Sequence, residues 1–140
     1  GTMATISAAQ IVYSSGWKTA SSSKYSGGKE RYVARTGATA TMTVSHVRQF
    51  AIVASRGSGR GSFHVYVDGQ RVTTTAISQR SSTSSWRKLL YVGSIPGNTA
   101  ATHTIQLRTT SSSRVDLDAI LTLSAKRTGD VTFDKSDYDP

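Results

Sequence analysis

The chain has 140 residues, with 17 Lys and Arg against eight Asp and Glu, so its formal net charge at pH 7 is +9. This length fits one domain with a hydrophobic core of its own. The absence of cysteine excludes a disulfide framework and a cysteine nucleophile. No apolar run approaches the roughly 20 residues of a membrane-spanning helix, so we expect no membrane insertion.

Serine and threonine dominate the composition, with 22 Ser and 19 Thr against one Asn and two Pro. This balance favours strands and turns over helices and predicts an all-β domain. A composition rich in Ser and Thr and poor in Lys is common among secreted bacterial proteins, so we expect a secreted or cell-surface location. Gly1-Thr2-Met3 looks like an expression remnant, and an original signal peptide would then be missing.

The first predicted elements are a loop and two strands. Residues 14–29, rich in Ser, Gly and Lys, predict a long irregular loop. Residues 38–44 alternate Ala, Met and Val with three Thr, which is typical of a half-buried strand. Residues 50–54 are continuously apolar, which predicts a strand at the centre of a sheet.

A glycine-rich turn and a β-hairpin follow. Gly57-Ser-Gly-Arg-Gly-Ser62 lacks the third glycine of a dinucleotide-binding fingerprint. It predicts a flexible turn that leaves Arg56 and Arg60 free to contact an anion. Alternating residues then lead into Asp68-Gly69, whose backbone needs positive φ, and residues 71–75 are predicted to return as the partner strand.

Three more strands are predicted in the last part of the domain, at residues 86–92, His103–Thr109 and 115–123, with Pro, Gly, Asn and Ser in the turns between them. About nine strands with short connections and no usable helical segment predict two packed sheets, a sandwich or jelly roll.

Two carboxylates occur on alternate residues, Asp116 and Asp118, in a body that is otherwise poor in acids. Residues 1–125 contain four acidic residues against 14 Lys and Arg. Alternation with Val115, Leu117 and Ala119 predicts a half-buried strand with both carboxylates on one face. Such a pair can be a solvated surface or part of a binding site. A catalytic role as general acid and base is disfavoured. Catalytic carboxylates flank the bond that is cleaved, whereas these two side chains point in parallel.

Catalytic signatures are absent from the sequence. It contains no G-x-S-x-G elbow, no P-loop and no H-E-x-x-H. His46, His64 and His103 lack the close spacing of a zinc site. An enzyme therefore ranks last, and no catalytic residue is predicted. Trp86, at the start of a strand, can either stack on a sugar or plug one end of the core, and Trp17 is favoured as a plug.

The order of motifs between about residues 10 and 124 resembles the galactose-binding-domain-like β-sandwich modules that are appended to secreted bacterial enzymes and surface proteins. Within that superfamily the chain is similar to family 6-type carbohydrate-binding modules. The motifs are Tyr13-Ser-Ser-Gly-Trp17, Tyr25-Ser-Gly-Gly28, Arg31-Tyr32, Gly37-Ala-Thr-Ala40, Val65-Tyr-Val-Asp-Gly69, Trp86, His103-Thr-Ile105 and Val115-Asp-Leu-Asp-Ala119.

The resemblance implies a jelly-roll fold and a noncatalytic sugar-binding function. Tyr32 and Trp86 are similar in position to the two aromatic residues of the sugar cleft, and Asp116 lies where those modules usually have Asn. A carboxylate accepts hydrogen bonds but cannot donate them. Asp118 matches an aspartate that helps to hold a structural calcium ion. Its usual acidic partners are replaced by Ala8, Ala9 and Gln10, so we treat calcium as optional and expect no required cofactor.

The sequence thus predicts a leader at residues 1–9 and a β-sandwich module at residues 10–125. Residues 126–140 are predicted to be a linker or the start of an immunoglobulin-like domain, so we expect covalently linked neighbouring domains. The expected partner is a polysaccharide or cell-wall glycan. Arg31, Arg56 and Arg60 are further predicted contacts, the last two favouring an acidic glycan. A spacer domain without a sugar site, and binding of other anions or nucleic acid through the basic surface, remain alternatives, with nucleic acid ranked below glycan.

Overall fold

A computed structural model describes residues 5–6 and residues 11–124 of the chain. This part contains thirteen strands and a single-turn 3-10 helix at Ser26–Gly28. The strands are β1 Thr5–Ile6, β2 Ile11–Tyr13, β3 Lys18–Ser21, β4 Lys29–Val33, β5 Thr39–Val44, β6 Val47–Arg56, β7 Ser62–Val67, β8 Gln70–Arg71, β9 Ile77–Ser78, β10 Ser85–Ser94, β11 His103–Thr109, β12 Val115–Leu117 and β13 Ala119–Ser124.

The strands form three antiparallel sheets. Sheet A has the order β1-β13-β6-β10, sheet B has the order β2-β5-β11-β7-β8 with β9 also on β7, and sheet C has the order β12-β4-β3. Alternate residues of β5, β7 and β11 pack in one core with residues of β6, β10, β12 and β13. The predicted all-β sandwich is confirmed. In the described residues no helix is long and apolar enough to cross a membrane.

Strand β6 lies between β13 and β10, as its continuously apolar sequence predicted. Phe50 and Ile52 face the main core, whereas Ala51 and Val53 belong to a second, smaller cluster on the other face of sheet A. Both faces of β6 are therefore buried, which explains why its sequence does not alternate.

The Asp68-Gly69 turn also forms as predicted, with φ of 52° and 80° at the two residues. The returning strand β8 ends at Arg71 rather than at residue 75. The Val65 amide donates to the Thr73 hydroxyl, at 3.1 Å. This side chain replaces the backbone partner, so the ladder stops there.

The predicted strand 115–123 is in fact two strands, because the chain changes sheets at Asp118. Strand β12 pairs with β4 in sheet C, and β13 pairs with β6 in sheet A. All residues from Val115 to Ala119 are buried, so the prediction of a half-buried strand was wrong. The predicted loop 14–29 was also too long, because it contains β3.

The predicted leader and the predicted linker lie almost entirely outside the described residues. The boundaries at residues 9 and 125 and the neighbouring immunoglobulin-like domain therefore stay predictions.

Candidate functional site

Three buried carboxylates lie together at one side of sheet C, and we call them the carboxylate cluster: Glu30, Asp116 and Asp118. Asp116 on β12 pairs with Tyr32 on β4, and Glu30 precedes Tyr32 by two residues. Side chains two residues apart on a strand share a face, so the strand pairing brings Glu30, Tyr32 and Asp116 to the same face of the sheet. Asp118 follows where the chain leaves β12.

Asp116 is completely buried, and two arginines neutralise its carboxylate. Arg60 Nε donates to Asp116 Oδ2 at 2.5 Å, and Arg114 Nε donates to Asp116 Oδ1 at 2.7 Å. Arg60 reaches this position because its backbone forms an isolated bridge with Arg114. The sequence predicted that the glycine-rich turn leaves Arg60 free. This prediction was wrong, because Arg60 forms an ion pair with Asp116.

Gln79 fixes the backbone of Asp116. The Gln79 amide nitrogen donates to the Asp116 carbonyl at 2.7 Å, and the Asp116 amide donates to the Gln79 side-chain oxygen at 2.9 Å. Gln79 is fully buried. Its two hydrogen bonds satisfy backbone groups of β12 that have no water to bind, so this residue holds Asp116 in register.

Glu30 is the least well compensated member of the carboxylate cluster. The Ser55 hydroxyl donates to Glu30 Oε2 at 2.9 Å, whereas Oε1 is buried without a hydrogen bond and lies 3.8 Å from Arg114 Nη2. Burial, followed by repulsion from Asp116, raises the pKa of Glu30 to about 7. The Glu30 carboxyl group is therefore partly protonated near neutral pH.

Asp118 anchors the loop of residues 22–28. Both of its carboxylate oxygens lie 3.0 Å from the Ser26 amide, which donates to them. Burial raises the pKa of Asp118, and the hydrogen bonds from Ser26 oppose this increase. In the described part of the chain no three acidic or histidine side chains converge to hold a metal ion. The role of Asp118 as a calcium ligand stays a prediction, since residues 8–10, which we compared with calcium ligands, lie outside the described residues.

The two predicted aromatic contacts are half-buried, and each has a cation over its ring. Arg114 Cζ lies 4.1 Å from the centroid of Tyr32, and Lys24 Nζ lies 3.8 Å from the centroid of Trp86. Lys24 belongs to the loop that Asp118 anchors. The structure thus places Tyr32 directly beside Asp116, and it connects Trp86 to the same region through the loop of residues 22–28.

The structure separates two other predicted contacts from Asp116. Arg31 faces the opposite side of sheet C from Tyr32, and its Cζ lies 4.7 Å from the centroid of Tyr13. Consecutive strand residues point to opposite faces, so Arg31 and Tyr32 cannot share one cleft. Arg56 donates to the Ser78 carbonyl at 2.8 Å and makes no ion pair with a described carboxylate.

Trp17 has the position of a plug, as the sequence predicted. Its ring is half-buried, packs on the edge of the main core and lies 5.0 Å from the Tyr13 ring, centroid to centroid. The three histidines do not form a site among the described residues. His103 is held by Asp68 and the Asn98 carbonyl, and His64 by Thr73.

Sequence analysis did not identify Glu30, Gln79 and Arg114 as site residues. The scarcity of acids was a signal for Glu30, because it is the only glutamate in the sequence. Gln79 carried no such signal, since its partner Asp116 lies 37 residues away. Arg114 did carry one, because it precedes Asp116 by two residues and therefore shares a strand face with it.

No family model matches the chain, and no curated protein matches it. Its structure matches a family 35 carbohydrate-binding module from Clostridium thermocellum with a TM-score of 0.64 and 14% identity, over 88% of this chain and 99% of the module. The chain therefore has a β-sandwich fold like that of this module. The likeness is one of fold, and it does not single out family 6.

Two enzymes contain a similar β-sandwich. The exo-β-1,3-galactanase of Phanerochaete chrysosporium matches with a TM-score of 0.61 and 20% identity over 86% of this chain. The Agl-KA catalytic domain matches with a TM-score of 0.60 and 15% identity over 93% of this chain. The chain spans only 29% and 30% of the length of these two chains.

Proposed function

We propose that this protein is a noncatalytic carbohydrate-binding module of a secreted or cell-surface protein, and that it targets a polysaccharide or cell-wall glycan. The observation that carries the proposal is the overlap of its fold with a complete carbohydrate-binding module, 99% of which is covered. Such a module would keep a linked domain close to its glycan and raise the effective concentration of that domain.

Sugar contact would fall to the side chains around the carboxylate cluster. Asp116 is sealed from solvent, so we assign it the positioning of Arg60 and Arg114. The side chains of these arginines are 23% and 32% exposed, and their remaining N–H groups can donate to sugar hydroxyls. The uncovered faces of Tyr32 and Trp86 would stack on the apolar faces of sugar rings.

The charge around this site favours an acidic glycan. Arg56 pairs through its backbone with Ser85, beside Trp86, and Gly57 forms a bridge with the exposed Arg80. Neither Arg56 nor Arg80 forms an ion pair with a described carboxylate, so their positive charge is available to a ligand. An anionic chain would be attracted to such a surface.

Retention of the purified protein on polysaccharide gels tests the proposal. Neighbours named as an exo-β-1,3-galactanase, a xanthan lyase and an esterase active on acetylated mannans suggest β-1,3-galactan, xanthan and acetylated mannan as first ligands. We expect Trp86→Ala to abolish retention. Tyr32→Ala should weaken it about tenfold, because it removes a stacking surface and the support for Arg114.

Tyr66→Ala is the matched control. Like Tyr32, Tyr66 is half-buried and has an arginine over its ring, with Arg108 Cζ 4.2 Å from the ring centroid. It lies on β7 of sheet B, outside the proposed site. This variant should be retained as strongly as the unchanged protein. Full retention of folded Trp86→Ala and Tyr32→Ala would contradict the proposed platform. Failure to bind any ligand on a broad glycan array would instead favour the spacer function.

A further inference from the structure

A cavity of about 310 Å³ opens beside β3 and β4 of sheet C. Its volume is at the lower end of the range of roughly 300 to 1,000 Å³ that small-molecule sites occupy. The lining consists of Tyr13, Thr19, Lys29, Arg31 and Leu117, together with Glu30 and Asp118 of the carboxylate cluster. The cavity is therefore large enough for a small ligand, and neither Tyr32 nor Asp116 lines it.

Strand register explains why these side chains meet. Arg31 pairs with Leu117 on β12 and with Thr19 on β3, so all three share one face of sheet C. Lys29 precedes Arg31 by two residues on β4 and points the same way. Leu117 is buried and gives the cavity an apolar base, while Tyr13 packs at the edge of the main core.

Among the described residues, the cavity has two cations without a carboxylate partner. Lys29 and Arg31 are both exposed, and neither forms a salt bridge within the described part of the chain. The two carboxylates of the lining are buried. Glu30 accepts from Ser55 through Oε2, on the face opposite Arg31, and Asp118 accepts from the Ser26 amide. An incoming anion would thus find positive charge that no described carboxylate pairs with.

We propose that this cavity binds one sugar unit carrying a single anionic group. Arg31 and Lys29 would bind the anionic group, since a guanidinium matches the oxygens of a carboxylate or phosphate. The Thr19 hydroxyl would bind a ring hydroxyl, and Tyr13 and Leu117 would contact the apolar face of the ring. A neutral sugar would make only the contacts with Thr19, Tyr13 and Leu117. This site does not depend on glycan binding at Tyr32 and Trp86.

Titration of the isotope-labelled protein by NMR tests the proposal, with glucuronate, glucose 6-phosphate and glucose as probes at equal ionic strength. We expect at least one anionic sugar to bind at least tenfold more tightly than glucose, with amide shifts concentrated at Thr19, Arg31 and Leu117. The stronger of the two anionic probes identifies the group as a carboxylate or a phosphate. Equal binding of glucose, or no binding of either anionic sugar, would overturn the proposal.

Variants separate the cavity from general electrostatic attraction. Arg31→Gln is expected to weaken the anionic sugar about tenfold, and Thr19→Phe should block the cavity without changing its charge. Lys18→Gln is the control, because Lys18 is exposed on the same strand as Thr19 and pairs with Tyr32 on the opposite face. Equal affinities of folded Arg31→Gln and Lys18→Gln would refute the site. Full polysaccharide retention by Trp86→Ala, with the anionic sugar still bound in the cavity, would contradict only the function proposed for Tyr32 and Trp86.

Discussion

Glu30 and Asp116 are both buried carboxylates of sheet C, but their surroundings compensate them unequally. Asp116 accepts one charged hydrogen bond from Arg60 and one from Arg114. Glu30 accepts a hydroxyl bond from Ser55 and has Arg114 only at 3.8 Å. A buried carboxylate with little compensation favours its neutral form, which explains why the pKa of Glu30 is raised to about 7.

This raised pKa predicts a pH-dependent stability. Glu30 titrates near 4.5 in the unfolded chain and near 7 in the folded protein. Between these values the folded state holds a proton that the unfolded state has lost, so the free energy of unfolding falls as pH rises through this window. It should level off above pH 7. Urea unfolding between pH 4 and 8 measures this effect.

Glu30→Gln is the reference variant for that measurement, because it has no proton to lose. We expect the stability of the unchanged protein relative to Glu30→Gln to decrease by up to about 3 kcal/mol across the window. The pKa of His103 is also raised, by its hydrogen bonds to the Asn98 carbonyl and to Asp68. Its contribution cancels in the comparison. Parallel pH profiles of the two proteins would show that Glu30 is not the titrating group.

Among the described elements, strands β6 and β10 make the closest contact that depends on a glycine. Gly93 on β10 pairs with Phe50 on β6, and a Cβ at Gly93 would lie 2.5 Å from Phe50 Cζ. Phe50 is one of the largest fully buried side chains of the core. The aromatic ring therefore occupies the space that a side chain at position 93 would need.

We expect Gly93→Ala to lower the free energy of unfolding by about 1–3 kcal/mol, because the Phe50 ring cannot move without disturbing a packed core. Ser94→Ala is the control at the next, exposed residue, and it should change stability by less than about 0.5 kcal/mol. Chemical denaturation of both variants measures the difference. Equal stabilities would mean that the core yields to the added methyl group.

Local patterns predicted several elements well. The Asp68-Gly69 turn, the buried strand β6 and the strand His103–Thr109 follow from dipeptide chemistry and from apolar periodicity over a few residues. The same reasoning failed at Asp118, where an unbroken alternation crosses between two sheets. Alternation records only the order of polar and apolar side chains, and it cannot record which strand lies beside them or whether the polar ones are buried.

For the molecule as a whole, charge is distributed unevenly between interior and surface. Residues 1–125 have four acids against 14 Lys and Arg, and three of these acids, Glu30, Asp116 and Asp118, are buried. The solvent-facing charge is therefore strongly positive. Long-range attraction of an anionic polymer follows from this charge and does not require a particular pocket.

Salt should separate this attraction from stacking. We expect retention on a carboxylated polysaccharide to fall at least tenfold between about 50 and about 500 mM NaCl, because the Debye length shortens from over 10 Å to a few ångströms. Retention on a neutral polysaccharide should change little, since stacking on Tyr32 and Trp86 is not screened. Affinity gel electrophoresis at several salt concentrations measures both. Salt-independent retention on the carboxylated ligand would contradict the role of the basic surface.

The sequence by itself determined the all-β class and most strands, because periodicity and turn chemistry act over a few neighbouring residues. It also predicted Tyr32 and Asp116 as parts of one site, and these two residues are cross-strand partners. Only the tertiary structure decided that Arg60 neutralises Asp116 from 56 residues away and that Gln79 holds its backbone from 37 residues away. It also placed Arg31 on the opposite face. These relations depend on which strands become neighbours, and that is set by packing of the whole chain rather than by any local pattern.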